Sequence, residues 1–310
     1  MKIKFIGTFL FGIICFLTLT ACRPATDNAG AGAINVTGAD GKTVAIADNS
    51  RVVSIGTATT ETIYALGAGD KLVGVDNSSA EYLPQTENLP KVGGRTALNA
   101  EGILALKPTL VILGADSAPA QIFDQLRGAG IAVLPLSPDY TAETIKQKIT
   151  TVARALGMEE NGKTLADKVD AEMVEVARLL EKKTSTPKVM FVGRAPNMPN
   201  ATMSGAKTTV DEMIKMAGGA NPFTDFTGFR EMTDEAVVAA QPDIILITQR
   251  SFERSGGVDG VLKFPGVALT PAGRDRRIVP VSDMYFQGFG PGVGKAVREL
   301  VVKFHPELAL

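Results

Sequence analysis

The chain reads as an α/β protein of two Rossmann-like lobes with parallel sheets joined by one long helix. Three observations predict this: apolar strand-like runs alternate with helical segments along the body, one phrase occurs in both halves, and an apolar stripe of helical period lies between them. Alternation of this kind implies parallel sheets covered by helices. The 310 residues suffice for two lobes at ~150 residues each.

The first segment reads as an address. Lys2 and Lys4 precede an apolar run from Phe5 to Leu19, the length of a signal-peptide core and short for a membrane-spanning helix. The run ends in Leu19-Thr-Ala-Cys22, which resembles the bacterial lipoprotein signal, where cleavage precedes a cysteine that becomes lipidated. Residues 1–21 are therefore expected to be a signal peptide, with Cys22 the lipidated residue. Residues 22–33, rich in Ala and Gly, are expected to form a flexible tether. The remaining cysteine, Cys15, lies in the leader. A mature disulfide, thiolate metal site or cysteine nucleophile is thereby excluded.

Residues 34–158 form the N-terminal lobe. Ile34–Thr37 and Lys42–Ala47, around a Gly-Ala-Asp-Gly turn, predict an edge hairpin. Arg51–Gly56 is a buried strand, Thr60–Leu66 a short helix stopped by Gly67 and Gly69, and Leu72–Val75 the next strand. Glu101–Leu106 and Ala118–Ala129 read as helices, Leu110–Leu113 and Ala132–Leu136 as strands. Ala142–Leu156 carries Ile145, Ile149, Val152 and Leu156 on one stripe. The inter-lobe helix falls within residues 159–186. Leu165, Val169, Met173, Val176 and Leu180 face one way, and Lys163–Lys183 would span roughly 30 Å. Residues 187–310 form the C-terminal lobe, opening on the strand Lys188–Val192.

The repeated phrase is Asn99-Ala-Glu101 through Pro108 to Leu113 and Thr233-Asp-Glu235 through Pro242 to Ile247. In each, an acid leads a two-turn helix, and a proline breaks it before an apolar strand. Two lobes of like architecture follow.

Composition excludes several functions. Lys+Arg number 32 against 33 Asp+Glu, so the basic surplus needed for nucleic acid is missing. The single histidine, His305, supplies neither a zinc cage nor a Ser-His-Asp site. Gly288–Lys295 superficially suggests a phosphate loop, but Phe289 and Ala296 occupy positions where glycine and Ser/Thr are required. It reads as a turn near the cleft.

Several separate stretches carry a family likeness. They are Val73-Gly-Val-Asp, Glu81-Tyr82-Leu-Pro, Leu89-Pro-Lys-Val-Gly-Gly, Gly256-Gly-Val-Asp-Gly-Val-Leu, Phe264–Val279 and Tyr285-Phe-Gln-Gly-Phe-Gly-Pro. Over residues 50 to 305 the chain resembles the haem-binding substrate proteins of bacterial haem-uptake ABC transporters, class III periplasmic binding proteins. The resemblance implies ferric haem held in an inter-lobe cleft by a tyrosine ahead of the Leu-Pro-x-Val-Gly segment, here Tyr82. The chain departs from the pattern by one extra residue ahead of that tyrosine, by Leu83 before Pro84, and by Gly94 where a tyrosine is usual; Arg95 is retained.

Ferric haem accepts oxygen, sulfur or imidazole ligands, and phenolate is a hard donor suited to Fe(III). Of the four tyrosines, Tyr64 lies in an apolar helix, while Tyr140 follows a strand end and Tyr285 lines a second-lobe wall. Tyr82 falls in a loop after a strand, where binding residues are often displayed. By itself it reads as a surface-loop tyrosine; the resemblance is what makes it the ligand candidate. The resemblance suggests Arg250 as the cross-cleft group that stabilises a phenolate. Arg95 and Arg230 are rim candidates for the haem propionates, and Phe229 and Tyr285 for packing on the porphyrin, with core packing the alternative.

In this family one surface Glu on each lobe docks into permease arginines, and Glu101 and Glu235 match those positions. The expected protein is a monomeric, non-enzymatic carrier. Its partners are haem, an ABC permease and that permease's ATPase; nucleic acid is not a partner, and the lipid anchor is its only membrane contact. A cobalamin or ferric-siderophore carrier of the same fold is the alternative.

Overall fold

The computed structural model describes residues 1, 32–193, 200–286 and 289–309. The leader, Cys22 and most of the tether lie outside the described residues. Residues 32–310 form one compact unit, and no described helix is long and apolar enough to cross a membrane.

The first sheet is four-stranded and wholly parallel, in the order Leu72–Val75, Val52–Ser54, Leu110–Gly114, Ala132–Leu136. Val52, Val53, Leu110, Val111, Ile112 and Leu113 have no accessible surface. Such runs are apolar on both faces because helices cover both. The expected edge hairpin forms from Ile34–Thr37 and Thr43–Ile46, with Ile34 opposite Ile46.

The second sheet is five-stranded, in the order Phe229–Glu231, Thr202–Ser204, Val189–Gly193, Ile244–Thr248, Ile278–Val281. The last three are mutually parallel, but Thr202–Ser204 and Phe229–Glu231 run antiparallel to their neighbours. The expectation of parallel sheets thus holds for the first lobe and for the inner part of the second. A short connection separates Gly193 from Thr202, and a parallel return needs a crossover of about a dozen residues or more.

The repeated phrase extends beyond the helix and strand that revealed it. Asn99 caps helix Ala100–Ala105 by accepting from Glu101 N at 3.0 Å, and Thr233 caps helix Asp234–Ala240 by accepting from Ala236 N at 3.2 Å. Both helices end in a non-glycine residue of positive φ before the proline: Lys107 (48°) and Gln241 (44°). Leu110 pairs with Val52, and Ile244 with Val189; Leu113 pairs with Pro135, and Ile247 with Pro280. Both prolines sit on outer strands of the parallel run, where a missing N–H is tolerated. One register serves both lobes.

The long helix read from the sequence over Lys163–Lys183 runs over Glu159–Leu180. It begins earlier because Gly157 (φ 71°) breaks the chain after helix Ala142–Ala155, and Glu159 and Glu160 favour the new N-terminus. These two helices join the inner faces of both sheets. Ile145 and Ile149 pack with Val169, Val189, Leu246 and Leu300, whereas Val152 and Ala153 pack with Val52, Ile112 and Leu134. Gly162 permits the close crossing: a Cβ there would lie 2.2 Å from Ala153 Cβ.

Candidate functional site

The loops that follow the parallel strands of the two lobes share one cavity of about 500 Å³. Ligands of open α/β sheets bind at this end of the strands. Glu81 and Tyr82 come from the first lobe; Arg250, Asp283, Tyr285, Glu299 and Lys303 come from the second.

Tyr82 is the last residue of helix Asn77–Tyr82, not a loop residue as the sequence reading had it. The helix is missed because it is short and follows its strand after a single residue, Asp76. That residue is fully buried. Its carboxylate accepts from Ser78 N at 3.2 Å, from Gly56 N at 3.0 Å and from the Ser79 hydroxyl. Ser79 in turn meets Thr60 Oγ1 at 2.9 Å, and Thr60 meets Ser54 Oγ at 2.8 Å. At the far end Thr86 Oγ1 donates to the carbonyls of Leu83 and Ser79. A buried, satisfied network of this kind fixes the helix rigidly on the sheet, so the phenol is presented from a firm base.

Arg250 lies in the first turn of helix Gln249–Ser255. Its backbone N–H donates to Asp283 Oδ2 at 3.2 Å, its guanidinium donates across the cleft to Glu81, and its Cζ stands 5.3 Å from the centre of the Tyr82 ring. Tyr285 donates its hydroxyl to Glu299.

The phenols remain protonated in this arrangement. Burial and then the neighbouring Glu81 push Tyr82 above its ordinary value, outweighing Arg250 and Arg254. Arg250 acts on the phenol in the expected direction, favouring the phenolate, but burial and Glu81 outweigh it. Burial, followed by the Glu299 contact, also raises Tyr285. Ionising Tyr82 near neutral pH consequently needs a positive centre brought by the ligand.

Arg95 lies on the first-lobe wall, on the turn between Gly93–Gly94 and Ala97–Leu98, ion-paired with Asp116. It is not among the residues lining the Tyr82 cavity. Both Arg95 and Asp116 act on the Tyr140 phenol, which burial raises. Lys148 lies 5.2 Å from the Tyr140 ring centre and donates to Asp139 O, and burial lowers it to about 8. Phe229 and Arg230 stand elsewhere. They occupy the outermost antiparallel strand, three strand spacings or about 14 Å from Ile244–Thr248. Arg230 is held there over the Phe226 ring at 4.1 Å. Neither is among the residues lining the Tyr82 cavity; the sequence did not reveal that the sheet continues past Val189–Gly193.

Glu101 and Glu235 are exposed in the first turns of the two equivalent helices. Sequence reasoning passed over Glu81, Asp283, Glu299 and Lys303. It also passed over a tyrosine pair with a readable signal: Pro135-Leu-Ser137-Pro-Asp-Tyr140 repeats in spacing as Pro280-Val-Ser282-Asp-Met-Tyr285. In both, the serine oxygen accepts a backbone N–H two residues on. The glycine-rich turn is also explained. Gly292 N donates to Glu61 Oε1 of the first lobe at 3.1 Å, and a Cβ on Gly290 would lie 2.1 Å from Glu61 Oε2. The glycines make room for an inter-lobe carboxylate rather than a phosphate.

Among the described residues no cluster of three or more His, Cys, Asp and Glu is placed to hold a metal ion. The cavity instead offers single oxygen donors and two cations.

Residues 52–283 match the periplasmic binding protein family. The solved periplasmic heme-binding protein RhuT from Roseiflexus sp. RS-1, in apo form, is 39% identical at a TM-score of 0.77, covering 84% of this chain and 100% of that one. The uncharacterized ABC transporter substrate-binding lipoprotein YvrC of Bacillus subtilis (strain 168) is 29% identical over 262 residues, 83% of this chain and 80% of that protein. A vitamin B12-binding protein of Photorhabdus laumondii is 30% identical over 251 residues, 81% of this chain and 86% of that protein.

Proposed function

Because the chain belongs to the periplasmic binding protein family, we propose that it captures ferric haem in the inter-lobe cavity and delivers it to an ABC permease. It acts as a carrier rather than an enzyme. The observation that carries this reading is the phenol of Tyr82 set beside the guanidinium of Arg250 on the wall of a 500 Å³ cavity. A ferric macrocycle needs one hard oxygen ligand and cations for its carboxylates. Tyr82 supplies the first, Arg250 and Lys303 the second, and Tyr285 an aromatic wall. Relatives named for heme binding support the choice of ligand.

Export follows from the leader, and anchoring at Cys22 is proposed from the lipoprotein-like signal and from the likeness to a substrate-binding lipoprotein. Glu101 and Glu235 are proposed to meet the permease, one from each lobe, with the ATPase beyond it. The described cleft acts in a single chain.

Hemin titration of the chain lacking residues 1–22 tests the ligand. A shifted Soret band with phenolate-to-iron charge-transfer bands is expected, and Tyr82→Phe should lose those bands and at least tenfold in affinity. An unaltered spectrum in that variant overturns the ligand assignment. The vitamin B12-binding relatives favour cobalamin as the second reading, which saturable cobalamin binding without hemin binding would select.

A further inference from the structure

We infer that Glu81 is an internal competitor for Arg250, so that the cleft favours a ligand carrying its own carboxylate. The inference rests on the haem reading and deepens it. Glu81 belongs to the first lobe and Arg250 to the second, and theirs is the ion pair that bridges the cavity walls among the described residues. The other two acids of the cavity are otherwise engaged: Asp283 accepts the Arg250 backbone N–H, and Glu299 accepts the Tyr285 hydroxyl.

Geometry makes the exchange feasible. Both side chains of the pair remain about two-fifths exposed or more, 40% for Arg250 and 46% for Glu81. Exposed pairs are weak, because water solvates each partner well after separation. A carboxylate on the ligand can accept from the guanidinium as Glu81 does, and the displaced Glu81 turns to solvent. Arg250 is anchored through its backbone and lies over the Tyr82 ring. The incoming carboxylate is therefore fixed beside the phenol. A macrocycle without a carboxylate has nothing to exchange for Glu81 and leaves the Glu81–Arg250 pair intact.

The test compares hemin with its dimethyl ester, by Soret titration, in the wild-type chain and in Glu81→Gln, Arg250→Gln and the double variant. Glu81→Gln should tighten hemin binding roughly two- to fivefold and leave the ester unchanged, widening discrimination between them. Arg250→Gln should reduce the hemin-to-ester ratio toward one, and adding Glu81→Gln to it should change nothing further. Weakened hemin binding in Glu81→Gln, or equal tightening of both ligands, overturns the inference while the haem reading stands. Circular dichroism of each variant establishes that the fold is retained. A wild-type chain that produces no Soret shift with hemin overturns the haem reading itself and the inference built upon it.

Discussion

Two residues beyond the end of the central strand, the first lobe carries Asp116 and the second carries Arg250. The strands are Leu110–Gly114 and Ile244–Thr248, and their registers with both neighbours coincide. Each charged residue finds a partner, but differently: Asp116 pairs with Arg95 in its own lobe, while Arg250 reaches across to Glu81. A conserved register is a packing requirement, because a slip by one residue turns every buried side chain to the wrong face. The residue just past the strand has no such duty. A duplicated scaffold can therefore place opposite charges at equivalent positions just past its strands.

The inner faces provide the severest test of the likeness. Ile112 and Leu246 occupy the same place in the two registers, and both have no accessible surface. Each packs into the inner cluster of its own lobe, and both clusters meet on helix Ala142–Ala155. Ile112→Ala and Leu246→Ala should each cost about 2–5 kcal/mol, measured by urea unfolding. Because the helices are shared, each variant should still unfold in one transition. Two transitions in either variant would show that the lobes are energetically separate.

A smaller effect concerns the place where the lobes differ most in role. Glu61 of the first lobe reaches the N-terminus of the second-lobe helix Val293–Phe304, and burial raises its pKa against the opposing hydrogen bond from Gly292. The sign follows from linkage: the folded state holds this proton more tightly than the unfolded chain. The contribution to stability is full below the unfolded value and declines as pH rises through the folded one. Glu61→Gln retains an oxygen for Gly292 N and removes the decline. Its melting temperature should exceed the wild-type value near neutral pH, with the gap closing at about pH 4. A gap independent of pH would mean that packing, not ionisation, governs the contact.

Much of this was legible beforehand for definite reasons. Val52–Ser54 and Leu110–Gly114 are apolar throughout because both faces are covered, and the helices led by Glu101 and Glu235 announce themselves through an acid and a proline. The antiparallel pair Thr202–Ser204 and Phe229–Glu231 was not legible: each strand has three residues, too few to show a period. Glu81 was hidden for another reason. Its partner is 169 positions away in the chain, so only the fold unites them. Tyr140 and Tyr285 could have been paired from their common distance to an edge-strand proline.

The smallest expected effect separates the two copies of the repeated phrase itself. Lys107 and Gln241 both adopt positive φ, a conformation that costs a side-chain-bearing residue about 1–2 kcal/mol and glycine almost nothing. Glycine gives back about 0.5–1 kcal/mol through the flexibility of the unfolded chain. Lys107 is exposed, and its carbonyl, which accepts from Arg51 Nε at 3.0 Å, survives substitution. Lys107→Gly should thus stabilise by about 0.5–1 kcal/mol. Gln241 differs because its side-chain Nε2 donates to Val238 O at 2.6 Å, a bond worth about 1 kcal/mol. Gln241→Gly should therefore be nearly neutral. Equal gains in parallel urea titrations would show that this hydrogen bond adds nothing, and that the two copies are equivalent in energy as well as in backbone.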